Sequence, residues 1–524
     1  MGFKPKLLAL ALALAGGSAA HAQIYKGTLS GANEIPAITT NGSGIAVVSL
    51  NTTTRELHVK TTFSGLTGNT TSSHIHCCTV QPANAGVATT TPTFTGFPTG
   101  VTSGSFDAIF STSATTTWNA SFITANGGTP AGAEAAFLAG LNAGQSYFNI
   151  HSSFAAGGEI RGNLALFKFA NGASAMNTGV AAALDALGAN TGGVNDRLMA
   201  IASLNGSALQ DAESALLPLP TLGVASVVAN GTFAGFDQIS NRLGGLRQDS
   251  KLQSGVWAKV ADHDGEQEVA SRKATVENDG WDVVVGIDSK FSDGSVLGGA
   301  FSAAEDDLEY TGGLAGSSGR LSSLRATVYW EKPIGAGFME AMGTYARVDG
   351  DSTRSAGSAG AAVSNGNHSQ YALRIGGGMT MELNPALTLT PQARLDWSTV
   401  HIESLRELGA GGLALNSSGE NVNRTRIQLG GQMDWNASDG YKPFIRAFYN
   451  HELKDEGNLV SAVFAAGGPA FSVTDSGIDS SGYTLGVGIN VVGSDAFNAA
   501  LSYDYSTSDD YNGKLLQAKL LWRF

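Results

Sequence analysis

KLLQAKLLWRF, residues 514–524, decides the fold. In an extended strand its alternating side chains put Leu516, Ala518, Leu520, Trp522 and Phe524 on one face. A soluble sheet has little reason to finish this way, because terminal residues fray when nothing holds them. Upstream the same alternation recurs in segments of roughly ten residues separated by polar loops. It begins at GVWAKVADH (255–263) and WDVVVGIDS (281–289) and continues through SLRATVYWE, YALRIGGGMT, RTRIQLGGQMDW and AFNAALSYDY. About twelve such segments can be counted, the signature of a transmembrane β-barrel. In the fourth, Leu324, Ala326, Val328 and Trp330 oppose Arg325 and Thr327; in the eighth, Ile427, Leu429 and Met433 oppose Arg424, Arg426, Gln428 and Gln432. Lipid then faces the apolar set, and Arg325, Arg374, Arg394, Arg424, Arg426 and Arg446 are the lumen-facing candidates.

The rest of the composition agrees. Charged residues make up only 14% of the 524, and 69 glycines break the sequence into short pieces, as a chain that is mainly β requires. No run of roughly 18 apolar residues is present, so helical spans are not expected and the membrane is crossed by strands. MGFKPKLLALALALAGGSAAHAQ (1–23) has Lys4 and Lys6, a short apolar stretch and the small-residue ending Ala20-His21-Ala22, so residues 1–22 are read as a secretory signal peptide. A net charge of −13 with no basic cluster excludes nucleic acid as a partner.

Residues 24–167 form a second unit. GIAVVSL (44–50), ELHVKTTF (56–63) and GGEIRGNLAL (157–166) alternate between Gly, Asn and Thr turns, which predicts a small antiparallel β-sandwich. AGAEAAFLAGL (131–141) alone has helical spacing and reads as a surface insertion. Residues 168–250 are expected to be an α-helical linker: short Ala- and Leu-rich helices up to Pro218, then a helix over about 221–247. Its small residues, Gly223, Ala225, Ala229, Gly231, Ala234 and Gly235, suit a confined space. The barrel unit takes 251–524.

The terminal strand resembles those of outer-membrane proteins, whose last aromatic residue is read by the barrel assembly machinery; Phe524, Trp522 and Leu520 hold that position here. The helices before Pro218, the small-residue helix, the GVWAKV opening and the LLWRF ending together resemble the translocator domain of autotransporters. That resemblance implies a twelve-stranded barrel in outer-membrane lipid, a helix in its pore and a passenger carried to the cell surface. Asn230 and Asn241 lie in the helix, but no Asn-Asn pair does, so the passenger is expected to stay attached. Residues 24–167 resemble the CHRD domain through GANEIP (31–36), FSGL (63–66), HIH (74–76), YFNIH (147–151) and GGEIRGNL (157–164). The resemblance implies little about activity, and the domain is expected to act at the cell surface as a binding module for an unknown extracellular ligand.

HIHCC (74–78) is the segment richest in chemistry. On a strand His74 and His76 share a face two residues apart, a spacing that lets two imidazoles reach one cation. His151 is the candidate third donor, and Cys77 and Cys78 add soft sulfurs suited to copper or zinc. The alternative is architectural: histidines hydrogen-bonded to buried groups, with Glu159 and Arg161 pairing nearby. The adjacent cysteines leave three states open, a ring disulfide, an interchain pair or free thiols. Glu34 and Glu159 are a conceivable acid pair, but no nucleophile elbow, zinc-protease helix or phosphate-cradling loop accompanies them. The protein is therefore expected not to be an enzyme.

Overall fold

The structure is a computed structural model. It describes residues 23–522 apart from 176, 189–193, 219–222, 249–253, 270–273, 436–439, 456–458, 475–480 and 495–496. The signal-peptide assignment (1–22) and Phe524 lie outside the described residues, as does the side chain of Trp522. Two compact units are present: one runs to Asn171 and takes in Leu184–Asn205, the other comprises Gly172–Ala183 and the chain from Gly206.

The first unit contains β1 (Gln23–Ser30), β2 (Ser43–Asn51), β3 (Glu56–Ser64), β4 (Thr70–His76), β5 (Gly104–Ser111), β6 (Tyr147–Ser152), β7 (Ile160–Asn163) and β8 (Ala165–Leu166). They pair in the order β4-β6-β7-β1-β2-β3-β5, with β8 against β1. Alternate residues of the longer strands, among them Ala46, Val48, Leu57, Val59, Ile75, Phe148 and Ile150, enter one apolar core. The Phe94 ring joins the two ends of the sheet, 5.9 Å from Phe106 of β5 and 6.1 Å from Phe148 of β6.

Two helices follow β5, α1 (Ala120–Ala125) and α2 (Pro130–Asn142). The Thr129 side chain accepts the amide of Gly132, and Pro130 occupies the first turn, where its missing N–H costs nothing. The expected surface insertion is corrected here. Ala133, Phe137 and Leu141, spaced by four, are buried in the sheet's core, each of the two larger ones contributing on the order of 2 kcal/mol. Next come α3 (Thr178–Leu187), α4 (Val194–Ala202) and α5 (Gly206–Ser214). Of these α4 belongs to the first unit, where Asn195 hydrogen-bonds Ser49 of β2.

The second unit is built around α6 (Val224–Gln248) and the strands that surround it. These are β9 (Val256–Val269), β10 (Ala274–Lys290), β11 (Val296–Tyr310), β12 (Ser318–Ile334), β13 (Gly337–Ser355), β14 (Ala361–Met379), β15 (Met381–Asn384), β16 (Leu387–Ile402), β17 (Leu405–Arg406), β18 (Leu408–Gly409), β19 (Leu415–Ser417), β20 (Glu420–Trp435), β21 (Tyr441–Asp455), β22 (Leu459–Phe464), β23 (Gly467–Thr474), β24 (Ser481–Ser494), β25 (Phe497–Ser508) and β26 (Tyr511–Trp522). β17, β19, β22 and β23 make a small separate sheet within the longest loops. Setting aside the short β15 and β18, twelve strands remain, and β26 pairs back onto β9 from Tyr511↔Gln267 to Leu521↔Trp257, closing the barrel. Closure satisfies the backbone of every strand without water, which is the condition for crossing lipid.

The twelve strands are the twelve alternating segments, but they run 12 to 19 residues rather than ten. Pairing continues beyond the apolar band: Glu277, Asp279, Asp307 and Glu309 still lie in the β10–β11 ladder. Outside, Phe301, Leu324 and Val328 are 74, 65 and 64% exposed, and Leu520 also faces outward. A surface of this kind aggregates in water and is stable in lipid.

α6 runs through the lumen. Ser226 meets Gln267 at the mouth bearing the long loops, and Arg247 reaches Glu331 at the other, where the connections are short. Phe233, Phe236, Ile239, Leu243 and Leu246 pack on Trp257, Val284, Ala300, Tyr329, Met342 and Ala372 of β9–β14. Polar side chains hold the helix elsewhere. Asp237 accepts from Arg374 at 2.7 Å and from Arg394 at 3.0 Å, Asn230 from Arg424 at 2.8 Å, and Ser240 donates to Glu340 at 2.8 Å. Arg242 pairs with Asp288 through two 3.0 Å bonds. Arg426 donates to Asp396 at 2.8 Å, Arg446 pairs with Asp504, and Arg325 lies 3.7 Å from Asp282 with the end of its guanidinium beside Gly231. A cavity of about 150 Å³ remains beside α6, lined in part by Asn230, Asp237, Arg446 and Asp504.

Candidate metal centre

Strand register builds the site. His74 lies opposite Asn149, His76 opposite Tyr147 and Ser72 opposite His151, so the three histidines converge on the face of β4–β6 that points away from the apolar core. Ring centroids are 4.9 Å apart for His74–His76 and 4.6 Å for His74–His151. One ring nitrogen from each of the three lies within 4.8 Å of the other two. Nitrogens bound to one ion at ~2.0 Å would sit ~3.4 Å apart, so a small turn of the rings brings them onto it.

The far sides of two rings are fixed. His76 Nδ1 is 2.8 Å from the Ala85 carbonyl and His151 Nδ1 is 2.9 Å from that of Ala156. Each N–H donated there leaves a lone pair on Nε2, and neither Nε2 has a protein partner; His74 Nδ1 is likewise buried and unpartnered. Burial drives His74 down to about 3, with the neighbouring imidazoles adding to the effect. It drives His76 down to about 4 against the Ala85 hydrogen bond, and it lowers His151 as well. All three are neutral at pH 7, the form that binds metals.

Neighbouring groups are polar and buried. Tyr147 stacks on His76 with centroids 4.6 Å apart, and the Arg161 guanidinium lies 3.4 Å over the Tyr147 ring. Arg161 donates to Asn84 at 2.8 Å and to the Ala83 carbonyl at 3.0 Å, and also bonds Gln81. The expected Glu159–Arg161 pair is corrected. Glu159 turns instead to the amides of Thr67 (2.5 Å) and Gly68 (3.2 Å) and to the hydroxyls of Thr40 and Ser152. Burial raises the Glu159 carboxyl, but these donors outweigh it and hold the group below its ordinary value. Glu34 faces Asn149 rather than Glu159, and burial pushes it up to about 7 against the pull of Arg161.

The cysteines do not join this set. Cys77 and Cys78 are bonded to each other, so neither offers a thiolate. Cys77 also follows Ile75 onto the core face of the strand, where both sulfurs rest against Gly140 of α2. The five candidate donors thus reduce to His74, His76 and His151. Parity along the strand already carried that signal for Cys77, since residues 75 and 77 cannot share a face with 74 and 76, whereas Cys78 has the histidines' parity and is removed by its bond to Cys77. Sequence reading missed Tyr147 and Asn149, although their alternation with His151 in YFNIH was the available clue.

Comparison with known proteins gives two family matches. Residues 256–504 match the autotransporter beta-domain, and residues 25–164 match the CHRD domain. Outer membrane protein B of Rickettsia prowazekii is 23% identical over 368 residues, 62% of this chain and 22% of the relative. Outer membrane protein A of Rickettsia conorii is 24% identical over 231 residues, 42% of this chain and 11% of the relative. The chain therefore spans about a fifth and a tenth of the length of these relatives. Among solved structures, the translocator domain of autotransporter NalP from Neisseria meningitidis is 18% identical, with a TM-score of 0.46, over 57% of this chain and all of that one. The beta domain of the Bordetella autotransporter BrkA is 18% identical, with a TM-score of 0.41, over 52% of this chain and all of that one.

Proposed function

We propose that this chain, an outer-membrane autotransporter β-barrel joined to a CHRD domain, carries that domain to the cell surface, keeps it anchored there and uses it as a non-enzymatic binding module. The direction of α6 carries the reading: the chain leaves the lumen at the long-loop mouth, and outer-membrane barrels turn their long loops outward. Outer-membrane lipid surrounds the strands, and the barrel assembly machinery is the partner assigned to β26. Protease shaving of intact cells tests display. Loss of the 24–167 fragment while the barrel survives is expected; a fully protected fragment places the domain in the periplasm and overturns the reading.

A second reading follows from the three unpartnered imidazole nitrogens, which favour a transition-metal ion, copper or zinc, as what the domain binds. Metal content of the purified full-length protein, compared with a His74→Ala/His76→Ala variant, tests it. One equivalent lost in the variant supports a metal module; equal, metal-free samples leave the histidines architectural.

A further inference from the structure

We infer that the histidine trio is selective for copper(I), an inference that rests on the metal reading above and concerns which ion the site takes. The donor set is the first argument. Among the described residues the grouping that can hold an ion consists of three imidazoles, with no carboxylate and no thiolate. Structural zinc sites are closed by four protein ligands, and a zinc ion held by three imidazoles must add a water as its fourth ligand. Copper(I), a monovalent closed-shell ion, is content with three neutral nitrogens. Burial is the second argument. His74 and His151 are 7 and 9% exposed and His76 is partly buried, which leaves little room for the water that zinc needs as a fourth ligand.

Fixed charge is the third argument. Arg161 is 1% exposed, stands over Tyr147, and Tyr147 stacks on His76, so a buried cation lies one ring from the site. Its repulsion doubles between a monovalent and a divalent guest. Glu34, on which Arg161 pulls, offsets this charge only in part, because it lies beside Asn149 and Gly158 and outside the trio. Together the neutral donors, the low coordination number and the nearby guanidinium discriminate against zinc and copper(II), although imidazole alone suits both.

The test uses the full-length protein in detergent. Copper(I) is titrated anaerobically, with ascorbate present, against bicinchoninate; zinc is titrated against a chromophoric chelator. The expected result is one copper(I) per chain, at least ~100-fold tighter than zinc, with copper affinity falling at least ~100-fold in His74→Ala/His76→Ala and in the milder His151→Gln. The copper K-edge should report nitrogen donors without sulfur. Zinc binding as tight as copper(I) overturns the copper assignment and leaves the metal reading standing. Binding of neither ion ends both. Sulfur in the first coordination shell overturns the three-imidazole assignment, because it requires the Cys77–Cys78 bond to open.

Discussion

Replacing Asp237 by Asn should loosen α6 in the barrel. Asp237 takes charged hydrogen bonds from Arg374 at 2.7 Å and Arg394 at 3.0 Å. Bonds of this kind are worth about 1.5–3 kcal/mol each, and stripping one partner from a fully buried pair costs about 3–5 kcal/mol. Three features reduce the loss here. The amide still accepts a hydrogen bond, Arg374 keeps its bidentate pair with Asp396, and Arg394 keeps Glu340 at 3.4 Å. The Asp237 side chain is also 27% exposed to the cavity, where water screens it. About 2 kcal/mol of docking energy should therefore disappear, which raises the undocked population roughly 30-fold at ~1.4 kcal/mol per decade. Planar-bilayer recordings of the refolded barrel should show open bursts occupying about thirty times more of the record. A cycle with Arg394→Gln should recover a coupling of about 1–2 kcal/mol. An unchanged open fraction, or strictly additive single and double variants, refutes the view that this acid secures the helix.

Two further outcomes concern the N-terminal unit. Gly140 faces both sulfurs of the Cys77–Cys78 bond, so Gly140→Val should cost about 1–3 kcal/mol by overpacking, read as a lower thermal midpoint; an unaltered midpoint means α2 does not rest on the disulfide. Acid should also weaken the metal-free domain. The three histidines are depressed in the fold and ordinary, near 6.5, when unfolded, so the unfolded chain binds protons first. The stability they permit is complete above about pH 6.5 and falls as pH drops toward 4, by at most about 2 kcal/mol per histidine at pH 5. Glu34, raised to about 7, acts with the opposite sign, present below about pH 4.5 and lost through 7, and is outnumbered. Equal urea midpoints at pH 7.5 and pH 5 would contradict this account.

The barrel was legible because a period of two is read directly from residues such as Leu324, Arg325 and Ala326, and lipid demands that it persist through every strand. Strand length was not legible: alternation marks the apolar band and is silent about ladders such as Glu277↔Glu309 that continue past it. α2 was visible as a helix but misplaced, since AGAEAAFLAGL has apolar residues on most sides and does not declare that Phe137 points inward. At the candidate site His74 and His76 followed from spacing alone. His151 joined them through the pairing of β4 with β6, a property of two segments 75 residues apart that spacing within either one does not encode. The Ala85 and Ala156 carbonyls that orient two of the rings belong to loops, and backbone acceptors leave no mark in side-chain chemistry.

One mechanical consequence follows from the way α6 is seated. Its 25 residues make a rod of about 37 Å at 1.5 Å per residue, gripped at Asn230, Thr232, Asp237, Ser240, Arg242 and Arg247 along its length. Tension on the chain ahead of Val224 runs along the rod's axis, so these grips are sheared in parallel and must yield together. A tether fixed only at the rim would be peeled open one contact at a time. Whatever pulls on the chain there is thus resisted by the sum of the grips rather than by the weakest of them.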